Sequence, residues 1–444
     1  MYGTVSARPA GSSDPAGRGR VVAAILLVLA FVAGATVAVR ASTKGTKAAS
    51  GAVSSLRSLS RVGAIQDRLR RAPDDARAWA ALGSAYVQEA RITGDPTYYP
   101  KAEEALRRSL VLRPSGNDGA LIGEGALAAA RHDFAAALSW GERARAINPY
   151  SASVYGVIGD ALIELGRYPQ AFDALQRMVN LRPDLSSYAR ASYAQELQGN
   201  IPDATRALEM ALEAASTPSD AAFASYYLGE LQWNQSHIAE ALTYYRQSVA
   251  RDPSFVPGVQ GIAKVAAARG RLDDAIAGYT SVVDRLPLPQ YIIELGDLYS
   301  FAGNSAGARE QFRLLRVQER LFRANGVNVD IETAIFNADH GIDVAEGLEA
   351  ARNEWRRRQS VFAADALAWS LYANGRYAEA LPFSNRSLRL GTRNALFFFH
   401  RGMIERASGM RSAARRDLKE AVSINPHFSL LWKTRLPAII ASVR

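Results

Sequence analysis

The feature that most constrains this chain is a spacing. Prolines that close apolar stretches stand at Pro114, Pro149, Pro183, Pro253, Pro287 and Pro426, separated by 35, 34, 70, 34 and 139 residues. Those gaps are close to one, one, two, one and four units of 34 or 35. Twelve residues before each proline stands an alanine (Ala102, Ala137, Ala171, Ala241, Ala275, Ala414), and the same step places Ala204, Ala308 and Ala380 in the gaps. A glycine lies twelve residues earlier again at Gly125, Gly159, Gly229, Gly296 and Gly402. Gly83 holds that place in the first unit, displaced by the insertion Ile92-Thr93-Gly94-Asp95-Pro96-Thr97. Self-similarity at such a period marks a stacked repeat, each unit a pair of helices.

Glycine on the first helix and alanine on the second let the two approach closely, while Trp79, Tyr155 and Leu295 fill the space around them. Turn residues separate the helices, as at Gly166-Arg167-Tyr168, Gly270-Arg271-Leu272 and Gly375-Arg376-Tyr377. The proline lacks an N–H and ends the second helix. One pair cannot bury its apolar face alone, so neighbours stack into a continuous core. The fourth unit carries Ser192 where others have glycine, and the unit over 331–360 fits loosely. After Arg323-Ala324-Asn325-Gly326 a kink or break is expected, dividing the array into 73–322 and 323–428.

Composition excludes several chemistries. With no cysteine there is no disulfide, thiolate zinc site or cysteine nucleophile. The histidines (132, 237, 340, 400, 427) never fall at the spacing that pairs two on one helix face. No metal or cofactor is expected, and no catalytic constellation is found. Gly119-x3-Gly123-x-Gly125 is explained by the repeat rather than by phosphate binding. The pairs Asp273-Asp274 and Glu103-Glu104 sit at helix starts, where they favour the macrodipole.

The net charge of +10 is concentrated at the N-terminus. Eleven of the 53 basic residues fall in residues 1–72 against two acids, leaving 42 bases and 41 acids in the remainder. Nucleic acid, which draws its affinity from basic surface on the folded domain, is a poor fit. Residues 1–20 read as a disordered basic tail. Residues 21–39, VVAAILLVLAFVAGATVAV, carry no charge and would form roughly 28 Å of helix, about the thickness of a bilayer's hydrocarbon core. We read them as an uncleaved signal anchor, with cleavage near Ala33-Gly34-Ala35 as the alternative. Residues 40–72 read as a basic juxtamembrane linker and a capping helix with Val53, Leu56, Leu59, Val62, Ile65 and Leu69 on one face. The expected location is a cell membrane, single-pass, with the repeats outside the cytoplasm. The scarcity of lysine, six in all, suggests a bacterial source through coding bias. Residues 429–444 read as a C-terminal capping helix.

Trp79-x2-Leu82-Gly83-x2-Tyr86, Gly166-x-Tyr168-x2-Ala171 and Pro183 together resemble the tetratricopeptide repeat. About ten units cover residues 74–428. The resemblance implies an all-α, right-handed superhelical solenoid whose concave groove is lined by the first helix of each pair. Family groove positions lie three residues before and one, four and five after the glycine. Carried over, they are Tyr193, Glu196, Tyr226, Glu230, Trp233, Asn234, Lys264 and Asp297, with Asp365, Trp369, Tyr372, Met403 and Arg406 in the later units. The family's carboxylate-clamping arrangement does not fit, since its cations would be only Lys264 and Arg406, too far apart.

Aromatics beside carboxylates suit a protein segment, extended or helical, carrying basic and apolar residues. The expected function is a non-enzymatic, membrane-anchored scaffold at the bacterial cell envelope. The alternatives are a cytoplasm-facing membrane adaptor, or a surface factor binding anionic lipid or polysaccharide through residues 40–71 and the basic C-terminal third, where the run Arg352–Arg358 is joined by Arg415, Arg416 and Lys419. That run is otherwise expected to be a solvated helix face.

Overall fold

The computed structural model describes residues 50–443, and for residues 50–60 the backbone alone. The tail and the apolar 21–39 stretch lie outside these residues. Among the described residues every regular element is a helix, and none is long and apolar enough to cross a membrane. α1 (Ser50–Arg71) leads into ten antiparallel hairpins. The first five are α2 (Ala76–Thr93) with α3 (Tyr98–Leu112), α4 (Asp118–Ala130) with α5 (Phe134–Ile147), α6 (Ala152–Glu164) with α7 (Tyr168–Leu181), α8 (Leu185–Leu197) with α9 (Ile201–Glu213), and α10 (Pro218–Asn234) with α11 (Ile238–Arg251). The sixth to eighth are α12 (Val256–Ala268) with α13 (Leu272–Arg285), α14 (Pro289–Phe301) with α15 (Ser305–Ala324), and α16 (Asp330–His340) with α17 (Val344–Arg357). α18 (Val361–Ala373) with α19 (Tyr377–Ser387) and α20 (Ala395–Ala407) with α21 (Arg411–Ile424) complete the set. Two short helices, α22 (Leu430–Lys433) and α23 (Leu436–Ala441), end the chain.

Each closing proline stands two residues past the last helical residue: α3 ends before Arg113-Pro114, α7 before Arg182-Pro183, and α21 before Asn425-Pro426. Steric conflict with the proline ring drives the preceding residue out of the helical region, and Arg182 has φ −152° and ψ 95°. All nine register alanines are buried. A Cβ on Gly159 would run into Leu175, and one on Gly229 would lie 2.6 Å from the Tyr245 ring. Glycine is therefore required at these two crossings, while Ser192, Ala263 and Ala368 hold the same place in hairpins four, six and nine. The turn inside each hairpin passes through the left-handed region, at Gly166, Gly199, Gly270, Gly303, Gly375 and Gly409. His132 and Ser236 take that conformation in hairpins two and five without glycine's freedom.

The path returns upon itself, because contacts recur at separations of 192 to 197 residues. The turns inside hairpins one to five meet the connections between hairpins in the second half. Gly94 packs against Leu286 and Leu288. The His132 Nδ1 bonds the Asn328 carbonyl at 2.6 Å, and the Asn328 N–H donates to the Arg131 carbonyl at 3.1 Å. Arg358 donates to Glu164 at 2.6 Å, while the Val361 N–H donates to the Tyr168 hydroxyl at 2.7 Å. The Thr392 hydroxyl donates to the Leu197 carbonyl, and the Asn425 amide to the Trp233 carbonyl at 2.9 Å. These five rungs stack the second turn of the coil on the first.

Three expectations are refined. The Asn325–Val329 stretch carries one rung of this ladder: Val327 and Val329 are buried with Val87, Ala90, Tyr99 and Leu127 of the first turn, and hairpins continue on both sides. The run Arg352–Arg358 is only partly a solvated face. Arg358 is 2% exposed and ion-paired to Glu164 and Glu354, because it points inward between the turns. The terminal segment, read as one capping helix, is two short ones, with Pro437 restarting the chain at the head of α23.

Candidate functional site

The first helices of hairpins three to ten face the axis of the coil and, with residues 427–433, enclose a cavity of about 310 Å³. The second helices add only Leu208 and Tyr279 among the described lining residues. On α10, Tyr226, Glu230, Trp233 and Asn234 all reach the bore, at the four positions around Gly229. α8 contributes Tyr193 and Glu196, α12 contributes Lys264, and α14 contributes Asp297. Asp365 of α18 also lines it.

Trp369, Tyr372, Met403 and Arg406 do not line the cavity. Trp369 is 1% exposed, stacks on His400 with ring centroids 4.0 Å apart, and donates its indole N–H to Asp339 at 2.8 Å. Tyr372 stacks on Trp369, and Met403 is buried beside it in the same cluster. The reason is the chain's own terminus. Trp432 packs on Trp369 and Phe399, and Ser442 accepts from the Arg406 guanidinium at 3.0 Å. α22 and α23 thus cover the inner face of the last two hairpins. Hydrophobic spacing does not reveal which inner surface a terminal segment will claim.

The lining carries nine carboxylates against three Lys or Arg. Several are already paired. Arg190 forks onto Asp160 at 2.9 and 2.8 Å. Lys264 meets Glu230 at 2.6 Å, with its ammonium 5.0 Å above the centre of the Trp233 ring and 5.6 Å from that of Tyr245. His340 meets Asp297 at 2.8 Å and His400 meets Asp365 at 2.9 Å. Glu196, Glu294, Glu332 and Asp339 have no cation at ion-pair distance among the described residues. Burial pushes Glu196, Glu294 and Glu332 each up to about 7, and raises Asp339 as well.

The carry-over missed Asp160 and Gln260, although both occupy groove positions around Gly159 and Ala263 in units that were not carried through in full. Glu294, two residues before Gly296, is off those positions. Glu332 and Asp339 sit on α16, where the loose repeat gave no register. Among the described residues no three His, Asp or Glu converge as a metal site.

The geometry defines a class: a two-turn solenoid of helical hairpins around an acidic, aromatic bore. The sequence profile of the tetratricopeptide repeat matches residues 188–254, which are the fourth and fifth hairpins. No curated protein matches the chain. Among solved structures, the human IFIT1 dimer with m7Gppp-AAAA is 14% identical, with 84% of this chain and 88% of that one covered at a TM-score of 0.47. The APC/C hetero-tetramer Cut9–Hcn1 is 16% identical, with 87% and 81% covered at 0.40. A thermophilic tetratricopeptide repeat protein of Thermus thermophilus is 20% identical, with 43% and 99% covered at 0.38.

Proposed function

We propose that this protein is a non-enzymatic, membrane-anchored binding scaffold at the bacterial cell envelope, and that its bore takes up a basic segment of another protein. One observation carries the reading. A chain of net charge +10 surrounds its axis with nine carboxylates and three cations, interleaved with tyrosine and tryptophan. An acidic bore attracts a basic ligand and repels an anionic one. Aromatic side chains supply large contact area at little entropic cost. The apolar 21–39 stretch serves as the anchor in this reading, with the repeats on the outer side.

Crosslinked affinity capture from intact membranes tests it, comparing the natural protein with a Glu196→Gln, Glu294→Gln variant. These substitutions keep side-chain volume, whereas truncating Tyr226 or Trp233 would hollow out a packed aromatic cluster. A protein captured by the natural chain and lost by the folded variant is the expected result. Equal capture by both would move the binding surface off the bore. Protease applied to spheroplasts addresses topology separately, and complete protection of the repeats would place them in the cytoplasm.

A further inference from the structure

The bore reads hydrogen-bond donors as well as charge. The Asn234 amide nitrogen is committed to Glu196 at 3.0 Å, which turns its carbonyl oxygen away, and that oxygen has no partner among the described residues. Gln260 repeats the arrangement: its nitrogen donates to Glu294 at 2.9 Å and its oxygen is unpartnered. Asp365 spends one carboxylate oxygen on His400 and leaves the other free of partners, and one oxygen of Glu332 is likewise unpartnered. Asn234, Gln260 and Asp365 are each 3% exposed or less. Four such acceptors line one cavity, which also carries the unpartnered hydroxyls of Tyr193 and Tyr291, and leaving a buried polar group unsatisfied is costly. A ligand that satisfies them must bring several N–H or O–H groups, and the acidic lining favours the cationic N–H.

The chain shows how one such group is held. The Lys264 ammonium bonds Glu230 while lying over Trp233 and Tyr245, so a primary amine on an aliphatic stem is already seated there by a carboxylate and two ring faces. Ile163, Ile293 and Ile335 supply apolar wall for methylene groups. A bare metal ion has no N–H to offer, and among the described residues no set of three ligands converges on one. The cavity, about 310 Å³, lies at the small end of the range for small-molecule sites.

We propose that the bore binds an aliphatic polyamine-type cation, ammonium groups with N–H donors on methylene spacers, between the Glu196–Asn234 and Gln260–Glu294 pairs. The inference rests on the bore being the binding surface. Its chemistry has two sources, a free polyamine or the lysines of a partner segment.

Isothermal titration of the full-length protein in detergent uses three probes: spermidine, N-permethylated spermidine, and a short lysine-containing peptide. Spermidine or the peptide should bind saturably at one per chain, and the tighter of the two identifies the source. The permethylated compound, quaternised at every nitrogen, keeps the charge without the donors and should bind at least tenfold more weakly than spermidine. The Glu196→Gln, Glu294→Gln variant, shown folded by circular dichroism, should lose at least tenfold. Near pH 7, binding by the natural protein should release protons, read as an enthalpy that varies with buffer. Equal affinity for spermidine and its permethylated form overturns the proposal, as does affinity unchanged in the variant. Absent binding of both spermidine and peptide also overturns it, while membrane capture that still depends on Glu196 and Glu294 would leave the scaffold reading standing.

Discussion

Arg358 ties the second turn of the coil to the first through a buried ion pair. Its guanidinium is 2% exposed and sits between Glu164 of the first turn and Glu354 of the second. Removing one partner of a buried ion pair leaves a charge without compensation, which costs about 3–5 kcal/mol. Arg358→Ala should therefore lower the unfolding free energy read from a urea titration by that amount, whereas an exposed pair such as Arg376–Glu379 should give a near-silent Arg376→Ala. The opposite sign is expected at Ser236, which holds φ +60° at a turn position that elsewhere carries glycine. Ser236→Gly should raise stability by roughly 0.5–1 kcal/mol in the same titration, since the left-handed conformation is strained for any residue with a Cβ.

The helical hairpin was the most legible element. The closing prolines, the register alanines and the crossing glycines are local rules, and each does in the structure what its chemistry requires. Ala171 is fully buried where α7 crosses α6, so Ala171→Leu should overpack that contact and cost about 1–3 kcal/mol, seen as a lower thermal midpoint. The inward groove positions of α8, α10, α12 and α14 could also be read, because they follow from the glycine by helical geometry. Trp369, Tyr372, Met403 and Arg406 could not, since their surroundings are set by a segment up to 74 residues downstream. Arg358 was misread for the same reason: its partner Glu164 is 194 residues away, and nothing in a local charge run points to it. The cover formed by α22 and α23 buries Trp369, Phe399 and their neighbours, with Leu436 and Val443 in the same cluster. Truncation after Pro426 should lower both the thermal midpoint and solubility, and an unchanged melting curve would refute that role.

At the scale of the whole molecule the bore sets the response to pH. Glu196, Glu294 and Glu332 titrate at about 7 in the folded chain against an ordinary value of 4.5, so the folded state holds their protons more tightly. That contribution is fully present below about 4.5 and is lost as pH rises through 7. His132 works the other way: burial, aided by the charge of Arg358, depresses it to about 4, so its contribution is present above about 6.5 and lost as pH falls toward 4. Between pH 6.5 and 8 these carboxylates act in the same direction as Glu124 and Glu405, also raised to about 7, and as His340, which burial lowers but the Asp297 hydrogen bond lifts above its ordinary value. The melting temperature should fall across that interval, and the Glu196→Gln, Glu294→Gln variant should flatten the fall. The ladder between turns has a different consequence, for how such a chain can change. A simple solenoid couples only nearest neighbours, so modules can be inserted or removed with local effects. Here every rung joins partners 192 to 197 residues apart, a span set by how many hairpins lie between them. Deleting a single interior hairpin would leave each remaining loop facing the wrong partner across the seam. The coil behaves as a vernier, in which repeat number is fixed by alignment between two scales, and length can vary freely only beyond the last matched mark.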